Sequence, residues 1–263
     1  MTNEESNENE KIKGLMSSGA EIAGGALGGA LGFLAGGPIG AAAGGAGGAA
    51  VAVALKHIGT EVSDRVLAPR EKVRAGGVLA IAASNIDKRI NAGEKTREDN
   101  FFTTTPNSNR SKGEEIVESV ILKAQKEPEE RKIPFMGNLL SNISFDKTIS
   151  VELGHQIIKT AEQLTYRQLC ILKLSAVRSQ LNIRQQDYRG QDSFPKELYQ
   201  VLYEFLDLYS RGLINFGGDV AFGPTDVKPG ATTIQGMGAD VFNLMGLIDI
   251  PDQDVLTIAK TVS

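Results

Sequence analysis

Few side chains in this sequence carry catalytic or metal-binding chemistry. Cys170 is the only cysteine, and the chain has two histidines, His57 and His155. A single cysteine excludes an internal disulfide and a zinc site built on paired cysteines, and two histidines are too few for the common histidine-based metal sites. No nucleophile–base pair stands out along the chain. We therefore expect a non-enzymatic protein with no catalytic residues, no cofactor and no metal site.

The remaining chemistry-bearing residues have structural interpretations. Cys170 lies on an apolar stripe and is expected to be a small core residue. His57 follows a long apolar stretch, where an interfacial position is expected and a pH sensor is the alternative. Asp249, Asp252 and Asp254 lack the glycine and the terminal glutamate of a calcium loop, and the pattern favours the capped start of a final helix.

Four basic side chains on or just after one predicted helix offer a candidate binding surface. Such residues suit phosphate groups of nucleic acid or lipid. The net charge of −4 and the nearby Asp187 disfavour nucleic acid, which stays an alternative partner. The four residues are Arg167, Lys173, Arg178 and Arg184.

The segment from Met16 to Ile58 is the most informative part of the chain. It has no charged residue between Ile22 and Leu55. Glycines recur there every fourth residue, which puts small residues on one helical face, where a second backbone can come close. We call this series the glycine ladder and expect it to be the helix-packing and oligomerisation face; its members are Gly24, Gly28, Gly32, Gly36, Gly40, Gly44 and Gly48.

Two arms of about twenty residues, each long enough to span a bilayer, meet at a turn formed by Gly36, Gly37 and Pro38. Basic residues lie on both flanks, which favours a transmembrane hairpin with both ends in the cytoplasm. We therefore predict a membrane location with a cytoplasmic C-terminal domain, at the inner membrane if the source is bacterial. A soluble hairpin or oligomer core and a flexible tether are the alternatives.

The energetics of these arms favour pairing with other copies. Each glycine in a helix interior costs about 0.8–1 kcal/mol relative to alanine. The few large apolar side chains of each arm supply only about 3 kcal/mol of insertion energy. Close backbone packing is needed to offset the glycines, and we expect a homo-oligomer in contact with membrane lipid.

The repeated motif GGALGGALGFLAGGPIGAAAGG resembles the glycine-zipper family of two-helix membrane segments. The resemblance covers residues 16–58. It implies insertion of a helical hairpin and self-association, and it carries no catalytic residues.

Composition shifts divide the chain into five parts, and its fold class is predicted to be mainly α. An acidic disordered lead precedes a glycine-rich helical hairpin, which is followed by amphipathic connecting helices, a polar linker and a multi-helix soluble domain. Phe101 and Phe102 are large apolar residues in an otherwise polar linker, and we expect them to pack on the helical body. The parts are residues 1–13, 14–58, 59–92, 93–113 and 114–263.

The last part begins with amphipathic helices, for which Ser150 is an expected N-cap, Thr165 an expected start and Pro195 the start of a later helix. Residues 214–234 are then predicted to form short strands or a turn-rich excursion before the chain returns to helix. This order predicts a small winged-helix-like β element.

The segments FMGNLLSNISFD, AEQLTYRQLCIL, YSRGLI and TIQGMGADVF, in this order, resemble the soluble domain of the Abi-alpha family, which is linked with bacterial defence. Residues 215–231 are longer than the direct loop of that family. The weak insertion energy of the glycine hairpin leads us to expect a membrane-associated protein that permeabilises the membrane conditionally, when an unidentified protein trigger frees the hairpin. The resemblance implies that this role lies in bacterial stress or phage defence. The alternative is a winged-helix-like module that binds nucleic acid or a protein, with the apolar hairpin as anchor or oligomer core.

Overall fold

The computed structural model describes residues 45–104, 108–191 and 193–263. Over these residues the chain is mainly α-helical with one small antiparallel sheet, which confirms the predicted fold class. The chain divides into two compact units, Met1–Glu162 and Gln163–Ser263. The predicted lead and most of the predicted glycine-rich hairpin lie outside the described residues.

The described part of the first unit consists of five helices. α2 begins at Pro69, whose fixed φ suits the first turn of a helix, and α3 begins after Ser111, which caps it. The helices are α1 Gly45–Ser63, α2 Pro69–Asn91, α3 Lys112–Lys126, α4 Ile133–Ile143 and α5 Val151–Gln163.

The core of the first unit forms around α2, which packs against α1, α3 and α4. Its small and aliphatic residues, among them Val78, Leu79 and Ile81, are fully buried. Gly137 of α4 brings the two backbones close, since a Cβ there would lie 2.7 Å from Ile81 Cγ2 and 3.2 Å from the carbonyl oxygen of Val78. The tight packing of α4 on α2 therefore depends on a residue without a side chain.

None of the helices in the described part of the chain combines the length and the apolar character that crossing a bilayer requires. The predictions of a transmembrane helix and of a membrane protein are therefore wrong for the described part of the second arm, which is residues 45–58 of α1. The first arm and the turn at Gly36, Gly37 and Pro38 lie outside the described residues. The predicted membrane location is not tested by this finding and stays a prediction.

The physical reason is that most of the apolar residues of α1 are buried in the protein core. Leu55, Ile58 and Val62 are fully buried, and α1 packs on α2 and α3. The other face carries Lys56 and His57, which are exposed. An apolar stripe of this width serves a protein neighbour as well as lipid, so the sequence pattern did not separate the two.

The predicted linker, residues 93–113, packs on the helices over much of its described length. Phe101 and Phe102 are buried, and their rings make an edge-to-face contact at 5.3 Å. The guanidinium of Arg97 lies 3.7 Å from the centre of the Phe101 ring and donates a 2.9 Å hydrogen bond to the carbonyl oxygen of Ile149. These contacts place this part of the segment on the helices of the first unit.

The second unit is built around α6, which packs on α7, α8, α9 and the second strand. Thr165 caps α6 as expected, because its hydroxyl accepts the N–H of Gln168. Cys170 is buried in α6, which confirms its predicted core position. The helices are α6 Tyr166–Val177, α7 Lys196–Ser210, α8 Met237–Met245 and α9 Asp252–Thr261.

A two-strand antiparallel sheet follows α7, which confirms the small β element. β1 Ile214–Asn215 pairs with β2 Thr233–Ile234, with Ile214 opposite Ile234. The connection between the strands holds two short 3-10 helices, Pro224–Asp226 and Pro229–Ala231. The order of α7, β1, connection and β2 is the order predicted for the winged-helix-like element.

The Gly137 contact generates the first prediction. Gly137→Ala should lower the free energy of unfolding by about 1–3 kcal/mol, because the new methyl group meets the β-branched carbon of Ile81 and a backbone carbonyl. Chemical denaturation measures this change.

Gly154→Ala in α5 is the matched control. The Cβ at residue 154 would lie closest to the flexible end of Ile116, at 2.7 Å, and would make an ordinary contact with Ile149 at 3.8 Å. The gain in helix propensity of about 1 kcal/mol offsets that contact. Equal destabilisation by the two substitutions would contradict the close approach of α4 to α2.

Candidate functional site

The most connected polar site of the described chain lies between α1 and α3. His57 and Glu61 lie four residues apart and therefore share one face of α1, and Arg65 follows two residues after the end of that helix. They meet Glu114 and Glu118 of α3 and Arg110, which precedes α3. We call these six residues the α1–α3 charge cluster.

His57 joins two carboxylates in this cluster. Its Nδ1 lies 2.6 Å from Oε1 of Glu114, and its Nε2 lies 3.3 Å from Oε1 of Glu61. The side chain of His57 is 49% exposed, whereas that of Glu114 is 7% exposed. The imidazole therefore links the surface of α1 to a buried carboxylate of α3.

Glu114 is held on its other side by Ser111, in a capping box at the start of α3. The backbone N–H and the hydroxyl of Ser111 donate to Oε2 of Glu114 at 2.7 and 3.0 Å, and the Glu114 N–H donates back to the hydroxyl. Because the serine hydroxyl bonds to the carboxylate and is buried, Ser111 and His57 do not form a nucleophile–base pair. Burial alone raises the pKa of Glu114, but the hydrogen bonds from Ser111 and His57 outweigh it, and the pKa is lowered.

Two arginines complete the cluster. Arg65 Nη2 donates to Oε1 of Glu118 at 2.6 Å, and Arg110 donates to both Glu118 and Glu61. The hydrogen bond from Arg65, together with the charge of Arg110, outweighs burial and lowers the pKa of Glu118. Each carboxylate of the cluster is therefore bonded to a cation or an imidazole, and the arrangement joins helices without exposing a free base.

The glycine ladder enters the described chain only at its last member. Gly48 is buried in α1, where a Cβ would lie 3.2 Å from Cδ1 of Ile90 in α2. The neighbouring Gly47 lies against Thr96 and the carbonyl oxygen of Arg97. The other six members of the ladder, Gly24, Gly28, Gly32, Gly36, Gly40 and Gly44, lie outside the described residues.

The four basic residues predicted as a binding surface are each engaged within the second unit. Arg167 makes two hydrogen bonds to the carboxylate of Glu204, at 2.7 and 2.8 Å. Arg178 donates to the carbonyl oxygen of Ser175, and Arg184 donates to backbone carbonyls and lies over the Tyr188 ring. The structure does not bring these residues together as free surface cations.

Lys173 corrects this prediction most clearly. It is 5% exposed, so it cannot belong to a surface. Its Nζ donates to the carbonyl oxygen of Ile250 and to Oδ1 of Asp252, both at 2.6 Å, next to the start of α9. A lysine on the apolar side of a helix can satisfy its charge internally when a carboxylate and a carbonyl converge on it.

Sequence reasoning missed the α1–α3 charge cluster. The available signals were the four-residue spacing of His57, Glu61 and Arg65 and the S-x-x-E pattern of Ser111 and Glu114. Neither signal predicts that the two patterns meet, since His57 and Glu114 are 57 positions apart.

Sequence reasoning also missed an exposed aromatic in the connection between β1 and β2. Phe222 is 88% exposed, and the Asp226 carboxylate accepts its backbone N–H at 2.8 Å. Arg189 donates to Asp226, and Lys228 pairs with Asp219 in the same connection. Tyr199 and Tyr203 of α7 are also exposed.

Comparisons with known proteins find no relative: no family model, no curated protein and no solved structure matches this chain. In the described part of the chain, no group of three or more histidine, cysteine, aspartate or glutamate side chains is placed to hold a metal ion. The resemblances to the glycine-zipper and Abi-alpha families stay predictions.

The cluster generates the second prediction. Glu118→Gln should lower the free energy of unfolding at pH 7 by about 1–3 kcal/mol, because it weakens charged hydrogen bonds from Arg65 and Arg110. Denaturation at several pH values measures this change, with Glu115→Gln on the exposed side of α3 as the control.

The pH dependence has a defined sign. Since the pKa of Glu118 is lowered in the folded chain, its contribution is present above the ordinary glutamate value of about 4.3 and is lost as the pH falls through the lowered value. The wild type and Glu118→Gln should therefore converge in stability in acid. A difference that persists unchanged to the lowest pH at which the chain stays folded would refute this origin of the effect.

Proposed function

We propose that this chain is a non-enzymatic, self-associating helical protein whose copies pair along the glycine ladder. The supporting observation is the environment of Gly48. This last member of the ladder is buried and allows a side chain of α2 to approach a position that a Cβ would occupy.

Within the described residues, the contact of α1 with α2 involves only the last glycine of the ladder. The two helices are joined by the short segment 64–68, and the start of α1 contacts Ile90, in the last turn of α2. α2 ends at Asn91. Six ladder glycines precede Gly48 in the sequence, outside the described residues, and we propose that they pair with a second copy.

A second copy has the matching surface. A glycine placed every fourth residue lets two helices approach closely, and two copies of one ladder are complementary to each other. Without such contacts the six earlier glycines would cost a helix up to about 6 kcal/mol relative to alanine. Close packing between copies is the interaction that offsets this cost.

The proposal makes no use of a membrane-spanning helix. It retains self-association and the absence of catalysis from the sequence-based expectations. The alternative function is a binding module in the second unit. The exposed Tyr199, Tyr203 and Phe222, together with the internally bonded basic residues, favour a protein partner over a nucleic-acid partner for such a module.

The third prediction concerns the oligomeric state of the full chain. Gly28→Leu plus Gly40→Leu should raise the dissociation constant of the oligomer at least about tenfold, because two leucines hold the paired backbones apart. Sedimentation velocity over a range of protein concentrations measures the constant.

Ala26→Leu plus Ala42→Leu is the matched control. It adds two leucines to the same segment, each two residues after a ladder glycine and therefore about 200° around a helix from it. The control should leave the oligomer intact. A monomeric wild type, or equal effects of the two double variants, would contradict pairing along the ladder.

A further inference from the structure

The position of His57 between two carboxylates points to a regulatory device that the proposed function does not include. We infer that His57 is a proton-dependent latch between α1 and α3, closed when both ring nitrogens carry protons and weakened when one proton leaves. The inference does not depend on self-association.

The two ring nitrogens face two carboxylates. Nδ1 lies within hydrogen-bond distance of Oε1 of Glu114 at 2.6 Å, and Nε2 lies 3.3 Å from Oε1 of Glu61, at ion-pair distance. A neutral imidazole has a single N–H, so it can present a proton to one of these carboxylates only. Its other nitrogen then turns a lone pair toward a carboxylate oxygen. The imidazolium has two N–H groups and presents a proton to both.

The charges of the cluster lead to the same conclusion. It holds three carboxylates, those of Glu61, Glu114 and Glu118, and two guanidinium groups, those of Arg65 and Arg110. With a neutral His57 the cluster carries one more negative than positive charge, and with an imidazolium the charges balance. Protonation of His57 therefore removes the excess charge.

Among the residues of the cluster, His57 determines whether Glu114 has a cationic partner. Arg65 and Arg110 bind Glu118 and Glu61, whereas the hydrogen bonds of Glu114 within the cluster come from His57 and from the neutral Ser111. When the ring loses a proton, a largely buried carboxylate keeps no cationic partner in the cluster. A buried charge without a cation is costly.

The His57 ring is also accessible to solvent protons. The His57 side chain is half-exposed, so it exchanges protons with water without opening the first unit. The charged neighbours of the ring are Glu61 on α1 and Glu114 on α3, with Lys56 next to it in the chain. Histidine changes its charge between about pH 5 and 8, which is the range in which the latch would act.

The sign of the effect follows from linkage. Only the folded chain presents both carboxylates to His57, so the contacts that the second ring proton makes exist in the folded chain alone. The contribution of the latch is therefore present at low pH and is lost as the pH rises through the histidine range. The pKa values of Glu114 and Glu118 are lowered by their hydrogen-bond partners, so these two carboxylates do not contribute to this change over pH 6–8.

Hydrogen exchange of the full chain at pH 6 and pH 8 tests the latch locally. The protection factors of the amides of residues 51–63 in α1, corrected for intrinsic rates, should fall on the order of tenfold between these pH values in the wild type. His155→Gln, which removes the other histidine, on the exposed side of α5, should leave the fall unchanged. His57→Gln should abolish it.

A second variant and a direct measurement keep the outcome decisive. Glu61→Gln removes the negative charge of one of the two acceptors and should reduce the pH dependence without abolishing it. This variant replaces His57→Gln if His57→Gln does not fold. Nitrogen-15 spectra of the two imidazoles, assigned with His155→Gln, should show both His57 nitrogens protonated at pH 6 and one at pH 8. An unchanged fall in His57→Gln, no fall in the wild type, or one and the same ring form at both pH values would overturn the inference.

Discussion

The burial of one face of α1 against α2 and α3 is the constraint on which the first unit depends. Leu55, Ile58 and Val62 lie fully inside the core. Each large aliphatic side chain contributes about 1.5–3 kcal/mol when buried, so withdrawing this face from the protein would cost much of the stability of a domain. The same burial orients the polar face of α1, and with it His57 and Glu61, toward α3.

Each unit also contains a buried lysine that joins a carboxylate to a backbone carbonyl. In the first unit Lys132 Nζ donates to Glu127 at 2.5 Å and to the carbonyl oxygen of Glu162 at 3.1 Å. In the second unit Lys173 binds Asp252 and the carbonyl oxygen of Ile250. Buried ion pairs add little net stability, but removing one partner leaves a charge without compensation. These lysines therefore fix where the ends of particular helices lie.

Local signals in the sequence predicted much of the helical architecture. Thr165 and Pro195 mark helix starts that depend on neighbouring residues only, and the stripe around Cys170 predicts a core helix because its period is local. The environment of α1 was mispredicted, since an apolar face does not specify whether lipid or protein covers it. The α1–α3 charge cluster depends on a contact between positions far apart in the chain, and helical spacing carries no information about such a contact.

A four-residue period has a further consequence for how α1 finds its register. A pattern that repeats every four residues cannot by itself distinguish one helix alignment from the next, because sliding a helix by four residues, about 6 Å, superimposes such a pattern on itself. The pairs His57–Glu114 and Arg65–Glu118 lack this translational degeneracy, because a shift of α1 by four residues would set Glu61 against Glu114. Two carboxylates would then face each other. Charge pairing at the C-terminal half of α1 thus supplies the positional information that its glycine-rich beginning lacks.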